Sequence, residues 1–342
     1  MEILIKEHLT EEEKQEVLAL FNKVLFFSIG QDFNFTDSIG QNNQIKYLLA
    51  YEEKKLVCYS KIIETKLRRL PFIKFAQIKF GPVYIDNNSL LECLKKTYNY
   101  YLQHKFTSLT VQLGNFVGND SEFIETYLQK DGYFFKTQYD RLNQSTLIID
   151  LEQSIQEIES TFTTHLKRNL KKSTSKNIQV YELTDFSDVQ KIEDVYTRMA
   201  KARNLKGFDH KFFQDKVTDI KDKGIGKIFY SLTSENKVLG TAFIFFEGKK
   251  CIYYLGFSDP EEKSLPALHS VFWEAIQWSK KNGFKLFDLG GYGHYATEND
   301  QVFYINNFKR NFTENYFFYP KRMIFELSKL KSIVANFLLK GF

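Results

Sequence analysis

Proline is scarce, at 5 in 342 residues, and no stretch concentrates proline, glycine or serine into a linker. That excludes a long disordered tether between domains. Cysteine is scarcer still: Cys58, Cys93 and Cys251 stand far apart, each inside an apolar segment, with no CxxC pair. The spacing excludes a disulfide framework or a zinc knuckle and leaves reduced core thiols as the expectation. The six histidines, His8, His104, His165, His210, His269 and His294, show no metal-ligand spacing. No metal is expected, and no Ser-His-Asp or Cys-His arrangement can be assembled from the order of residues. Long apolar runs are missing as well, with none near the roughly 18 residues of a membrane span. The start, MEILIKEHLTEEEKQ, turns charged within a few residues. A secretory leader reads differently, so the expected location is the cytoplasm.

What is abundant is aromatic. The chain has 34 Phe and 20 Tyr within a 43% apolar composition, enough for a sizeable core. Forty-seven basic against 42 acidic residues give a net charge of +5, which permits an anionic partner without requiring one. The length suits two domains of ordinary size.

A repeated order of elements supports two domains. Residues 44 to 113 read as a β-hairpin with a charged turn at Glu52 to Lys55, a further strand (FIKFAQIKFGPVYI), a helix and a buried strand (SLTVQL). The helix carries Leu90, Leu91, Leu94, Tyr98, Tyr101 and Leu102 at helical spacing, with Ser89 and Glu92 as an expected capping box. Residues 225 to 290 repeat this order: a hairpin turning at Ser234 to Lys237, the strand CIYYLGFS, a helix and the strand KLFDLG. Leu268, Val271, Phe272, Ala275 and Ile276 line one face of that helix, and Gly283 stops it. Upstream helices complete each unit. In the first, Thr10 and Glu13 cap a helix that turns Val17, Leu18, Phe21, Val24 and Leu25 inward. In the second, one helix runs from Ser154 and Glu157 to about Ser175, one from about Ser187 to Ala202, and one starts at Asp209. A last helix is expected near 323 to 340. The domains are expected at 1–150 and 151–320, with 321–342 returning to the first.

Helices, then a hairpin, a strand, a helix and a strand is the order of the GNAT acyltransferase fold. The expected class is α+β, with two tandem GNAT-like mixed-sheet domains. An ordinary GNAT enzyme holds acyl-CoA on a Q/R-x-x-G-x-G/A loop whose N–H groups cradle the pyrophosphate. Here those places read FGPVYIDNNS and GFSDPEEKSLPA, without the glycine spacing, and the second carries Asp259, Glu261 and Glu262. KGIGKIF, at 223 to 229, enters a strand rather than a helix. FDLGGYGHY, at 287 to 295, reads as a buried strand leaving through a glycine turn at Gly290 to Gly293 rather than as a phosphate cradle, and irregular chain is expected after it.

Two such units without the CoA loop resemble the Fem family of peptidoglycan bridge-forming aminoacyltransferases. Five segments carry the resemblance, in order: KFGPVYID (79 to 86), HLKRNLKKSTSKNIQVYE (165 to 182), YYLGFS (253 to 258), FDLGG (287 to 291) and NNFKRNF (306 to 312). They are similar to the family's R-G-P-V segment, its K-x-R-x-x-I helix and strand, its Y-x-G-x-S strand end, its D-x-x-G turn and its F-K-x-x-F. There are departures. IGQDFNFTDSIGQ keeps Gln31 of the family's Q-S-x-x-W segment, has Phe35 for the Trp and lacks the lysine that follows. In place of a family arginine near 209 to 216 the chain offers Arg203, Lys206, His210 and Lys211. The long helical arm of some members is absent.

The resemblance implies a transferase that moves an amino acid from aminoacyl-tRNA to an amine of a peptidoglycan precursor, lipid-linked or UDP-linked. The tRNA is the donor substrate and no cofactor is needed. Within it, Lys309 is the catalytic ammonium that meets the oxyanion, with Phe308 packed beside the site. Tyr254, Asp288, Gln31 and Tyr84 are the expected substrate-binding residues. On the helix through 155 to 175, Ile155, Ile158, Phe162, Leu166 and Leu170 form an apolar stripe, and Lys167, Arg168, Lys171, Lys172 and Lys176 form a basic face. That face is either plainly solvated or a phosphate-tracking stripe for tRNA. A monomer at the inner face of the membrane is expected, with the C-terminal helix either docked on the first domain or lying on the membrane surface. Two other readings stand beside this one: an N-acyltransferase acting on an amino sugar or other small amine, and a GNAT-fold binding protein without catalysis.

Overall fold

The computed structural model describes residues 1–37, 40–114, 120–139, 144–205, 209–262 and 264–339. The chain divides into two units, Met1–Asp140 with Tyr319–Phe342, and Arg141–Phe318.

The first unit runs β1 (Glu2–Lys6), α1 (Glu11–Phe21), β2 (Asn43–Glu52), β3 (Lys55–Leu67), β4 (Leu70–Lys79), β5 (Val83–Tyr84), α2 (Asn87–Gln103), β6 (Ser108–Gln112), α3 (Asp120–Lys130) and β7 (Lys136–Gln138). The second runs β8 (Ser145–Asp150), α4 (Ile155–Ser160), α5 (Thr164–Ser175), β9 (Gln179–Glu182), α6 (Val189–Ala202), α7 (His210–Lys221), β10 (Gly226–Leu232), β11 (Val238–Glu247), β12 (Lys250–Ser258), α8 (Ala267–Lys281), β13 (Leu286–Tyr292), α9 (Gln301–Arg310) and β14 (Tyr316–Phe318). The chain then returns to the first unit as β15 (Arg322–Glu326) and α10 (Lys329–Leu339).

Both sheets are mixed. The first is ordered β1-β2-β3-β4-β6-β15-β7, with β5 paired to β3, and the second β14-β8-β13-β12-β11-β10-β9. The repeated hairpin, strand, helix and strand give matching halves, in which β4 pairs parallel with β6 and β12 with β13. A parallel pair needs a crossover, and α2 and α8 supply it. Val271, Phe272, Ala275 and Ile276 of α8 are all buried against the sheet, as their spacing required. Thr10 with Glu13, and Ser154 with Glu157, form the capping boxes read from the sequence.

The halves also exchange a strand. β8 follows β7 along the chain but pairs with β13 and β14, whereas β15 follows β14 but pairs with β6 and β7. The expected boundary at 150 is therefore corrected, because 145–150 belongs to the second sheet.

Other expectations change too. The helix expected at 323–340 is a strand followed by a short helix: Met323 and Phe325 alternate into the first core, and α10 begins at Lys329. The helix expected through 155–175 is two, because Thr161 gives its hydroxyl to the Ile158 and Phe312 carbonyls while Thr163 caps α5. α1 ends at Phe21, leaving Leu25 exposed. α2 is capped by Asp86 rather than by Ser89 with Glu92. Gly290 lies in a bulge within β13 and Gly291 pairs with Thr146 just past it, so both glycines are inside the strand rather than beyond it.

Candidate active site

A concavity in the second unit opens where β12 is distorted. Phe243 pairs with Leu255 and the next residue, Ile244, with Tyr253, so Tyr254 is the extra residue of a β-bulge. Neighbours on a strand point to opposite faces, so the two tyrosines are turned apart. Tyr253 faces α8, its ring 4.3 Å from Phe272. Tyr254 points the other way, exposed, against Phe245 and beneath the ammonium of Lys216. The expected site residue Tyr254 therefore does not line the cavity, whereas its neighbour Tyr253 does.

The cavity beside the bulge has a volume of about 640 Å³. Tyr253, Phe308, Tyr304 and Leu268 form apolar wall, and Arg203, His165, Asn169 and His269 supply the polar groups. Ser258, Ser264 and Pro266 line it at the place where GNAT enzymes carry their CoA loop. Of the acids in this loop, Asp259 is buried against Arg198 at 2.8 Å and Glu262 is held by Lys237 at 3.0 Å. Among the described residues, no carboxylate lines the cavity.

His269 packs near Phe308, with 4.9 Å between ring centres. Burial, reinforced by the nearby His165, pushes its pKa down to about 4, so the imidazole is neutral at ordinary pH. Asn169 Nδ2 lies 3.0 Å from His165 Nε2 and 3.5 Å from His269 Nε2, bridging the two rings. No sequence signal marks this trio. His165 and Asn169 share a face of α5 at a spacing of four, but His269 reaches them from a helix 100 residues away.

Lys309 lies behind the Tyr253 and Phe308 wall. It sits on α9, a helix that begins within the expected irregular chain, and is only 4% exposed. Its Nζ donates to the Gly291 carbonyl at 2.7 Å and stands 5.9 Å from the centre of the Tyr253 ring. Burial pushes the pKa of Lys309 down to about 8, and the negative charge of Asp288 pulls the other way. The φ of +77° at Gly290 and the tight space there favour glycine: a Cβ would lie 3.0 Å from the Tyr253 carbonyl and 3.5 Å from Lys309 Nζ.

Asp288 is fully buried and does not reach a substrate space, which corrects its substrate-binding assignment. Its Oδ1 accepts from Thr146 Oγ1 and, at 2.7 Å, from the Gly290 N–H. Its Oδ2 is 3.0 Å from Lys250 Nζ, which also pairs with Glu247 at 2.6 Å. The glycine amide is thereby taken by a carboxylate, so it is not part of a phosphate cradle.

Gln31 is corrected as well. Only 1% exposed, it accepts from the Lys61 N–H at 2.8 Å and donates to the Lys79 carbonyl at 2.8 Å, bracing two strands of the first sheet. Tyr84 lines a cavity of about 420 Å³ in the first unit with Phe80, Pro82 and Lys23, and is itself buried on β5. Lys167, Arg168, Lys171 and Lys172 are all exposed on α5, the helix that turns His165 and Asn169 into the second-unit cavity. Lys172 Nζ donates to the Ser264 carbonyl at 2.8 Å, tying the basic face to the cavity rim.

Residues 160–310 match the acetyltransferase (GNAT) domain family, so this part of the chain is an acyltransferase domain of the GNAT type. No curated protein sequence matches the chain. Among solved structures the chain is similar to FemX, with a TM-score of 0.78 at 13% identity, covering 98% of this chain and 100% of that one. It is also similar to L-PGS from Bacillus licheniformis, with a TM-score of 0.59 at 14% identity, covering 96% of each chain. A tandem GNAT protein from the clavulanic acid biosynthesis pathway aligns over 96% of this chain and 99% of its own, with a TM-score of 0.51 at 9% identity. At these identities the likeness establishes the fold. The tandem GNAT architecture and the Fem-like resemblance read from the sequence hold at that level.

Proposed function

We propose that this chain transfers an aminoacyl group from aminoacyl-tRNA to an amine of a peptidoglycan precursor, lipid-linked or UDP-linked. The carrying observation is the buried ammonium of Lys309 behind the Tyr253 and Phe308 wall of the second-unit cavity. In the reaction the acceptor amine attacks the ester carbonyl, a C–N bond forms and the carbonyl oxygen becomes an oxyanion. The C–O bond to the terminal ribose then breaks, the ribose oxygen takes a proton, and an amide remains. The ester is already a good electrophile, so alignment and a positive charge at the oxyanion supply most of what an enzyme must add. Lys309 is not among the residues lining the cavity, so to supply that charge its ammonium must leave the Gly291 carbonyl and reach past the Tyr253 ring. Neutral His269 is suited to take the proton that the attacking amine sheds.

Two further observations favour an RNA-borne donor over acyl-CoA. The loop at the usual CoA position carries ion-paired acids and no glycine cradle. The exposed basic face of α5 borders the cavity, where the phosphates of an acceptor arm would run.

The test is to incubate the protein with charged total tRNA and purified precursors and weigh the products. A precursor heavier by one amino-acid residue, dependent on the charged tRNA, is expected. Unmodified precursors with charged tRNA, together with acyl transfer to a small amine from acyl-CoA, would overturn the assignment.

A further inference from the structure

The first unit carries an apolar surface that its described residues leave exposed. α10 leaves β15 at one end of the sheet and docks by a narrow face, with Ala335 buried. Four of its apolar side chains face out: Leu330 is 79% exposed, Ile333 67%, Val334 37% and Phe337 81%. At 100° per residue these four fall within one stripe, and Ala335 lies on the opposite side. A solvated helix of this kind would place polar residues there, so among the described residues the stripe is an exposed apolar face.

The rim of that face is basic, and strand register shows why. Lys66 pairs with Lys74 across β3 and β4, next to the hairpin tip that holds Arg68 and Arg69. The Lys74 carbonyl accepts from the Thr107 N–H at 2.7 Å, and the Thr107 carbonyl accepts from the Leu327 N–H at 3.0 Å, just before α10. The hairpin tip, the turn into β6 and the start of α10 therefore lie in a row along one end of the sheet. Lys331 on α10 closes the row by donating to the Lys105 carbonyl at 2.6 Å. Lys66, Arg68, Arg69, Lys105 and Lys329 are exposed. The charges are close enough that Lys331 and Lys66 both hold the Lys74 pKa below its ordinary value, after burial, the larger cause. Nearby acids are already engaged: Glu64 is buried and takes the Tyr101 hydroxyl, and Glu326 pairs with Lys136.

We infer that this end of the first unit is a peripheral membrane-docking surface. The apolar stripe of α10 enters the headgroup boundary of an anionic bilayer, and the surrounding lysines and arginines meet lipid phosphates. Apolar area alone would suit another protein equally well. The basic rim favours an anionic lipid surface, since stripe and charge together are what interfacial helices use. No helix among the described residues is long and apolar enough to cross a membrane, so the contact would be superficial and reversible. The inference does not depend on the aminoacyl-transfer reading, because its readout is binding rather than turnover.

The experiment is co-sedimentation of the full chain with vesicles of phosphatidylcholine alone or mixed with phosphatidylglycerol. Binding to the mixed vesicles should exceed binding to the neutral ones by about tenfold or more and weaken as salt rises. Leu330→Ser with Phe337→Ser should abolish it while leaving the circular dichroism and melting unchanged, because both side chains are exposed. Arg68→Ala with Arg69→Ala should weaken only the anionic component. Absence of vesicle binding overturns the inference, as does binding indifferent to the α10 substitutions. A concentration-dependent dimer abolished by the same substitutions, without vesicle binding, would assign the stripe to a second copy of the chain instead.

Discussion

The ammonium of Lys309 and the carbonyl of Gly291 are 2.7 Å apart, a helix side chain clamped just past the bulge of a strand 18 residues earlier in the chain. A charge this buried costs stability, and a neutral oxygen is a weak counterpart for it. If its use is to meet an oxyanion, Lys309→Met, which keeps the volume, should lower turnover by about 10²-fold or more. Affinity for tRNA should change little, and melting should hold or rise. Arg310→Ala, whose side chain is exposed and paired with Glu314, should leave turnover near wild type. Single-turnover rates for the three proteins decide the matter.

The pH profile provides an independent check. The pKa of Lys309 is lowered from 10.5 to about 8, so it is charged below that value and neutral above it. Transition-state stabilisation should therefore be complete on the acid side and fade as pH rises through about 8. The acceptor amine works in the opposite sense, since only its neutral form attacks, so a bell is expected. Lys309→Arg stays charged throughout. It should lose rate through altered geometry but also lose the alkaline limb; a limb unchanged in this variant would exclude Lys309 as its source.

Much of the architecture is readable in the sequence because its periods are clear and its turns are local. The hairpins at Glu52 to Lys55 and Ser234 to Lys237, the stripe from Val271 to Ile276 and two capping boxes all rest on neighbours in sequence. What escapes depends on distant chain. Ile324, Leu327 and Leu330 have helical spacing, yet Met323 and Phe325 are the residues that a gap between β6 and β7 takes up. Nothing local announces that vacancy. Tyr253 and Tyr254 are neighbours on opposite faces of β12, and which face meets the cavity is set by helices distant in sequence. Asp288 and Gln31 have the chemistry of substrate-binding groups, but burial gives each a set of internal partners.

His269 makes a prediction about stability. Its folded pKa of about 4 lies below the ordinary 6.5. The unfolded chain therefore gains a proton as pH falls below 6.5, while the folded chain gains it only near 4. Stability linked to this group is fully present above 6.5 and is lost across that window, by up to about 3 kcal/mol. Urea melts of the wild type and His269→Phe at about pH 7 and about pH 4.5, on either side of most of that window, should show the smaller loss in the variant. Equal losses would mean that the imidazole titrates freely.

The exchanged strand predicts an asymmetry at the C-terminus. Removing 322–342 takes β15 out from between β6 and β7 and empties the places of Met323 and Phe325 in the first core. Two buried side chains of this size are worth about 3 kcal/mol each or more, so the first unit should unfold or melt far earlier. Removing 330–342 leaves the strand and should change melting little. Similar melting for both truncations would show that the strand contributes no more than the helix.

The basic face of α5 can be separated from the chemistry. Lys167 and Lys171 are exposed, and neither lines the cavity. If they follow the phosphates of an acceptor arm, Lys167→Ala and Lys171→Ala should each weaken tRNA binding. Each should also flatten its salt dependence by a slope of about 1, for the one phosphate no longer neutralised. Single-turnover rates at saturating tRNA should stay near normal, because uniform binding affects ground and transition states alike. Lys172→Ala should differ. Its ammonium holds the Ser264 carbonyl at the cavity rim, so its removal loosens the loop that bounds the site. That variant should lose turnover as well as affinity. Three substitutions on one helix would then give two kinetic signatures. A common signature for all three, with salt dependence unchanged, would remove α5 from the tRNA path and leave its lysines as a solvated face.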